Sequence, residues 1–116
     1  MKAARRISLP AHGLAELVIG LALVVASMAL DLGAAGAVIT FAAGVLLAGV
    51  GLGAAESMPL AAHHSLDLWL VTLLAAGSIV AAYTGSGLAA VVLLTGAATQ
   101  LALTGLTRWT RVPAAR

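Results

Sequence analysis

The sequence predicts an all-α integral membrane protein, a four-helix bundle made of two tandem helical hairpins. The first observation is composition: the 116 residues are 62% hydrophobic and 9% charged, whereas a soluble domain carries about 25% charged residues. So few polar residues could not cover a water-soluble fold. The second observation is a set of four apolar runs, and the third is a repeat that pairs these runs into two hairpins.

Each apolar run has the length of a membrane-spanning helix, which needs about 20 mostly apolar residues. The predicted spans are 10–30, 35–54, 60–82 and 87–107, within a single membrane domain over 1–116. Glycine-containing stretches, "DLGAAG" and "YTGSG", predict the turn inside each hairpin. Pro10 and Pro59 suit the first turn of a helix, with Ser8 and Ser57 upstream as caps.

Basic residues occur only in the two tails. They are Lys2, Arg5, Arg6, Arg108, Arg111 and Arg116. Four spans place both tails on one side, so the positive-inside rule predicts cytoplasmic termini in the inner membrane. Tails this short suit contact with anionic lipid rather than binding of nucleic acid. The absence of cysteine excludes disulfides and thiolate sites.

The chain reads as an internal duplication. "SLPAHGLAELVIGLALVVAS" aligns with "SMPLAAHHSLDLWLVTLLAAGS", so that His12 matches His63 and Glu16 matches Asp67. The two copies cover about 8–56 and 57–107. Two hairpins of the same orientation are parallel repeats, related by an axis along the membrane normal.

Two stretches, "AELVIGLALVVAS" and "LDLWLVTLLAAGS", resemble the first helix of membrane proteins with the SPW repeat. Those proteins are built from hairpin units of this size, often in pairs. Ser27 and Ser78 match the serine of that motif, but Met28-Ala29 and Ile79-Val80 stand where the family has Pro-Trp. The resemblance implies a small bacterial membrane protein and no particular activity.

The stretch "GLAELVIG" is similar to the first helix of small multidrug resistance exporters, which are four-helix proteins of about this length. Glu16 matches the essential glutamate of that family. "YTGSG" resembles the family's aromatic-Thr-Gly-x-Gly stretch, which lies inside the third helix of the exporters and falls here at a predicted turn. This resemblance implies proton-coupled export.

Two groups of ionisable residues lie near the starts of the first and third helices. His12 and Glu16 share a helix face, as do His63 and Asp67, and His64 lies three residues before Asp67. They are polar helix-start residues at the interface, or they form a functional cluster. As a cluster, all five could bind a divalent metal, Glu16 and Asp67 could carry protons, or His12 could ligate haem with His63 or His64.

Small and polar residues on the second and fourth helices predict close packing in lipid. The predicted packing residues are Gly36, Thr40, Gly44, Ala48 and Gly96. Gln100 is the only amide side chain in the predicted spans, and it predicts either an interhelical hydrogen bond or a contact to substrate.

The chain shows no nucleophile arrangement, phosphate loop or soluble domain, so the sequence predicts that it is not an enzyme. The predicted function is a structural or accessory role without a cofactor. The protein would pack in the lipid bilayer against itself or a larger membrane complex. The alternative is a small proton-coupled transporter that works as a homo-oligomer, with Glu16 and Asp67 as proton carriers.

Overall fold

The computed structural model describes residues 5–55 and 58–110, which fold into four helices without a strand. The helices are α1 (Leu9–Ala29), α2 (Gly33–Ala55), α3 (Leu60–Tyr83) and α4 (Gly87–Leu106). All four are long and apolar enough to cross a membrane, so the chain is a multi-pass membrane protein. The predicted all-α four-helix bundle is confirmed, and every helix end lies within two residues of its predicted position.

Serine side chains begin one helix in each hairpin. Ser8 and Ser86 each accept a hydrogen bond from the backbone N–H three residues on, at 3.3 and 3.2 Å, and each satisfies a donor that the first helical turn leaves free. Pro10 lies in the first turn of α1, as predicted. Pro59 precedes the first residue of α3 instead of lying within its first turn. Ser57, the predicted cap of α3, is outside the described residues.

The four helices pack as two hairpins that lie against each other. α1 packs along α2, and α3 packs along α4. Between the hairpins, α2 contacts both α3 and α4, and α1 contacts α4. α1 and α3 therefore stand diagonally opposite in the bundle. Both hairpin turns use a glycine with positive φ, Gly33 at 69° and Gly85 at 88°, a conformation that costs glycine little.

Glycines bring the backbones of α1 and α2 into direct contact. A Cβ atom on Gly44 would lie 2.6 Å from the carbonyl oxygen of Gly20, and one on Gly51 would lie 2.7 Å from that of Gly13. Helices in lipid associate through such close packing, because no hydrophobic force drives them together there. These glycine contacts therefore fix the position of α1 against α2.

The other predicted packing residues are enclosed to different degrees. Gly36 is tightly packed, since a Cβ there would lie 2.7 Å from Cβ of Ala89 on α4. Gly96 is buried, but a Cβ there would meet its nearest neighbour, a leucine of α3, at an ordinary 3.6 Å. Thr40 is fully buried, and the backbone of Ala48 lies against Gly20.

The segment that precedes α1 and the segment that follows α4 lie side by side. Ile7 pairs with Thr107 in an isolated parallel bridge. The N–H of Ile7 donates to the carbonyl oxygen of Leu106 at 3.1 Å, and the N–H of Arg108 donates to that of Ile7 at 2.8 Å. We call this end, where residues 5–8 and 107–110 meet, the terminal end of the bundle.

Candidate metal centre

Four ionisable side chains from diagonally opposite helices meet inside the terminal end of the bundle. His12 and Glu16 come from α1, and His63 and Asp67 come from α3. Each pair is four residues apart and so projects from one helix face. One donor atom from each side chain lies within 4.8 Å of the other three, and no member is more than 1% exposed. We call these four residues the quartet.

Nitrogen and oxygen atoms alternate around the quartet. Nε2 of His12 contacts Oε1 of Glu16 and lies 2.7 Å from Oδ2 of Asp67. Nε2 of His63 lies 3.1 Å from Oε1 of Glu16 and 3.3 Å from Oδ1 of Asp67. A tetrahedral zinc ion bound at about 2.0–2.1 Å separates its ligand atoms by about 3.3 Å. The quartet is therefore of the size that a tetrahedral dication would draw together.

The ring of His12 is held by a hydrogen-bonded chain to the end of α4. The hydroxyl of Thr107 donates its single proton to the carbonyl oxygen of Leu103 at 2.6 Å. At its contact with Nδ1 of His12, also 2.6 Å, that hydroxyl must therefore accept. Nδ1 of His12 carries a proton, which leaves Nε2 directed into the quartet. Histidines that bind metals are commonly oriented by such a contact at the other ring nitrogen.

Several polar atoms around the quartet have no hydrogen-bond partner in the described part of the chain. They are Oε2 of Glu16, Oδ1 of Asp67, Nδ1 of His63 and Oε1 of Gln100. Of these, Oδ1 of Asp67 has only its ion-pair contact with His63 at 3.3 Å. Gln100 of α4 contributes one long contact, in which Nε2 donates to Oε1 of Glu16 at 3.4 Å. Because a buried polar atom without a partner costs about 1–3 kcal/mol, a ligand that contacted these atoms would stabilise the cluster.

The charge of the two carboxylates must be balanced locally. Glu16 and Asp67 are both fully buried, and no lysine or arginine occurs anywhere between Ile7 and Thr107. An isolated ion in a low-dielectric interior is strongly unfavourable. Two protonated histidines would balance the carboxylates, and so would one bound dication with both histidines neutral.

Trp109 closes the quartet at the terminal end. Its ring lies 5.0 Å from that of His12 and 5.7 Å from that of His63, measured between ring centroids. Its Nε1–H donates to the carbonyl oxygen of Thr104 at 3.1 Å, which anchors it to α4. Trp109 is therefore half-buried against the two histidines.

Four of the five predicted metal-ligating residues come together, and His64 does not. His64 follows His63 by one residue, which turns it about 100° around the helix. Its ring packs edge-on against Trp109 at 4.7 Å. Both His/acid pairs are buried inside the bundle, where they contact each other between α1 and α3. Thr107 and Trp109 were not predicted as site residues, since Thr107 is the last residue of the fourth predicted span and Trp109 lies beyond it, where no helical pattern applies.

No protein-family model, curated protein or solved structure matches the chain. The likenesses to SPW-repeat proteins and to small multidrug resistance exporters therefore remain hypotheses based on short stretches.

Proposed function

We propose that the protein binds a divalent transition-metal ion in the quartet and uses it to join two membrane-spanning hairpins. One observation carries the proposal: four donor atoms of metal-ligating type, from two diagonal helices, lie within 4.8 Å of one another in a fully buried position. Imidazole and carboxylate together suit zinc and its transition-metal neighbours. The ion would connect α1 to α3, whose backbones are otherwise separated by α2 and α4.

The charge of a dication suits this location. Bound to two carboxylates and two neutral imidazoles, it gives a site with no net charge, as a low-dielectric interior requires. The hydrogen bond from His12 to Thr107 would support the ion from outside the ligand set. The sealed position behind Trp109 favours a permanent structural ion, in agreement with an accessory role in the membrane.

A haem fits the arrangement less well. The rings of His12 and His63 lie edge to face with centroids 5.3 Å apart, so no porphyrin could lie between them. His64 faces away from the quartet, against Trp109. A single metal ion is therefore the ligand that we propose.

The positive-inside rule supports a cytoplasmic position for the terminal end, because all lysines and arginines belong to the two tails. We propose the inner membrane of a bacterium as the location. In that orientation the metal ion would lie near the cytoplasmic surface. The hairpin turns at Gly33 and Gly85 would face the opposite side.

Native mass spectrometry of the protein, extracted gently from its own membranes, tests the proposal directly. We expect one ion mass per chain, which elemental analysis then identifies. The test variant is His63→Gln, which removes one ligand, and the matched control is His64→Gln, which changes the neighbouring histidine outside the quartet. The ion should be lost from the first variant and kept by the second.

Fluorescence provides a second measurement on the same variants. In Trp69→Phe, Trp109 is the only tryptophan, and its ring lies about 5 Å from the ring of a ligating histidine. Cobalt or nickel added after removal of the native ion should quench it at one equivalent. Two results together would overturn the proposal. The protein from native membranes would carry no ion, and cobalt or nickel would cause no saturable quenching that zinc can reverse by competition.

A second candidate function, proton-coupled transport with Glu16 and Asp67 as carriers, is favoured by the unpartnered oxygens of both carboxylates. Such a protein would act as a homo-oligomer. Liposomes that hold a zinc indicator and carry a pH gradient would distinguish the two functions. Proton-driven zinc flux that Glu16→Gln abolishes would support the transporter, whereas a retained ion without flux would support the structural role. The same native spectrum reports whether the chain is alone, self-associated or bound to a larger partner.

A further inference from the structure

A groove opens on the outer surface of α3 and α4 at the terminal end, and none of the four quartet residues borders it. Its wider part is a cavity of about 580 Å³, bordered by Arg5, His64, Ser65, Leu68, Leu101 and Trp109. A second cavity of about 330 Å³ continues it along α3 and is bordered by Ser65, Leu68, Trp69 and Thr72. Ser65 and Leu68 border both cavities, so the two are adjacent along α3, and together we call them the groove.

The length of the groove matches one leaflet of a bilayer. Leu60, which borders the wide cavity, and Thr72, which borders the second, are twelve residues apart on α3. At 1.5 Å per residue this is about 18 Å, compared with about 15 Å for half of a 30 Å hydrocarbon core. Leu68 and Trp69 are 44% and 65% exposed, so the groove presents an apolar surface along its length.

Polar and apolar groups are separated along the groove. At the terminal end, the exposed guanidinium of Arg5 and the hydroxyl of Ser65 border the cavity, and both can donate to phosphate oxygens. Farther along α3 the surface is formed mainly by Leu68 and Trp69, and the hydroxyl of Thr72 is already bonded to its own helix at 3.0 Å. A cationic end followed by an apolar channel is complementary to an anionic head group followed by an acyl chain.

We propose that this groove binds an anionic phospholipid of the leaflet at the terminal end, with the phosphate at Arg5 and one acyl chain along α3 as far as Thr72. The lipid is a ligand distinct from the metal ion. The proposal therefore stands or falls independently of the quartet.

The test uses tryptophan quenching by lipids with brominated acyl chains. The unchanged protein, whose two tryptophans both border the groove, is reconstituted in phosphatidylcholine bilayers that contain a minor fraction of brominated phosphatidylglycerol, with a chelator present. Its reference is the same fraction of brominated phosphatidylcholine. The electrostatic attraction between one basic residue and an anionic membrane surface corresponds to about fivefold enrichment of an anionic lipid beside that residue. We therefore expect the brominated anionic lipid to quench the tryptophan fluorescence as strongly as a local enrichment of about fivefold over the reference lipid would.

Two arginine variants show whether the groove is responsible. Arg5→Gln removes the charge at the groove and should return quenching to the level of the zwitterionic reference. Arg108→Gln removes the same charge at the same end, on a surface bordered instead by Ser8, Leu9 and Pro10, and should keep the enrichment. Equal quenching by both lipids, an equal loss in both variants, or displacement by soluble phosphate as readily as by unbrominated phosphatidylglycerol would overturn the proposal.

Discussion

Replacing Thr107 with valine tests the coupling between the end of α4 and the quartet. The hydroxyl of Thr107 is fully buried and makes two hydrogen bonds of 2.6 Å, to His12 and to the carbonyl oxygen of Leu103. Valine has a similar shape but no hydroxyl, so both partners would be left unsatisfied. His12 could then keep its proton on Nε2, the nitrogen that the metal needs.

The expected size of the effect follows from these two contacts. Loss of an outer hydrogen bond to a metal-bound histidine typically lowers metal affinity by about 10- to 100-fold. Unsatisfied buried groups should also lower the free energy of unfolding of the metal-free protein by about 1–3 kcal/mol. Thr104→Val is the matched control, because the hydroxyl of Thr104 is buried without a partner in the described part of the chain, so its loss should cost little.

Both effects can be measured on purified protein in the same detergent. Competition with a chromophoric chelator gives the zinc affinity, and unfolding in increasing fractions of sodium dodecyl sulfate gives the stability of the metal-free protein. If Thr107→Val bound zinc as tightly as the unchanged protein, or if Thr104→Val weakened it equally, the proposed role of the His12–Thr107 contact would be wrong.

Three further predictions concern packing and pH. Gly44→Ala should destabilise the bundle by about 1–3 kcal/mol, since the added Cβ would lie 2.6 Å from the backbone of α1. In the control variant Gly49→Ala the added Cβ would have no neighbour within 4 Å, so this change should be neutral or slightly stabilising in the same unfolding assay. Ser78→Ala should cost about 1 kcal/mol, because the hydroxyl donates to the carbonyl oxygen of Ala90 at 2.7 Å and links α3 to α4; equal unfolding curves would contradict this. Zinc affinity should fall as the pH is lowered, since protons compete with the metal for imidazole and carboxylate, and a titration repeated at several pH values would detect a flat dependence.

The helices could be predicted because the length of each apolar run in the sequence matches the length of a membrane-spanning helix. A span of about 20 apolar residues is needed to cross the hydrocarbon core, and residues with special backbone geometry, such as Gly85 with its φ of 88°, mark the turns. Predicted and observed ends accordingly differ by no more than two residues. The largest difference is at the start of α2, which begins at Gly33 and not at residue 35.

The site could be predicted only in part. Helical spacing placed His12 with Glu16 and His63 with Asp67, but it does not specify the order of helices around a bundle. Only the fold shows that α1 and α3 are diagonal and that both pairs point to the same centre. Trp109 lies beyond the last helix, where no periodicity indicates which way a side chain faces.

The composition of the interior limits what can occupy the quartet. An arginine or lysine beside Glu16 and Asp67 would make a permanent ion pair, but none occurs between Ile7 and Thr107. The two carboxylates form ion pairs with His12 and His63, and a histidine can balance a carboxylate when protonated or bind a metal when neutral. The quartet can therefore take up either two protons or one dication without acquiring net charge, and the ion content of the native protein distinguishes the two.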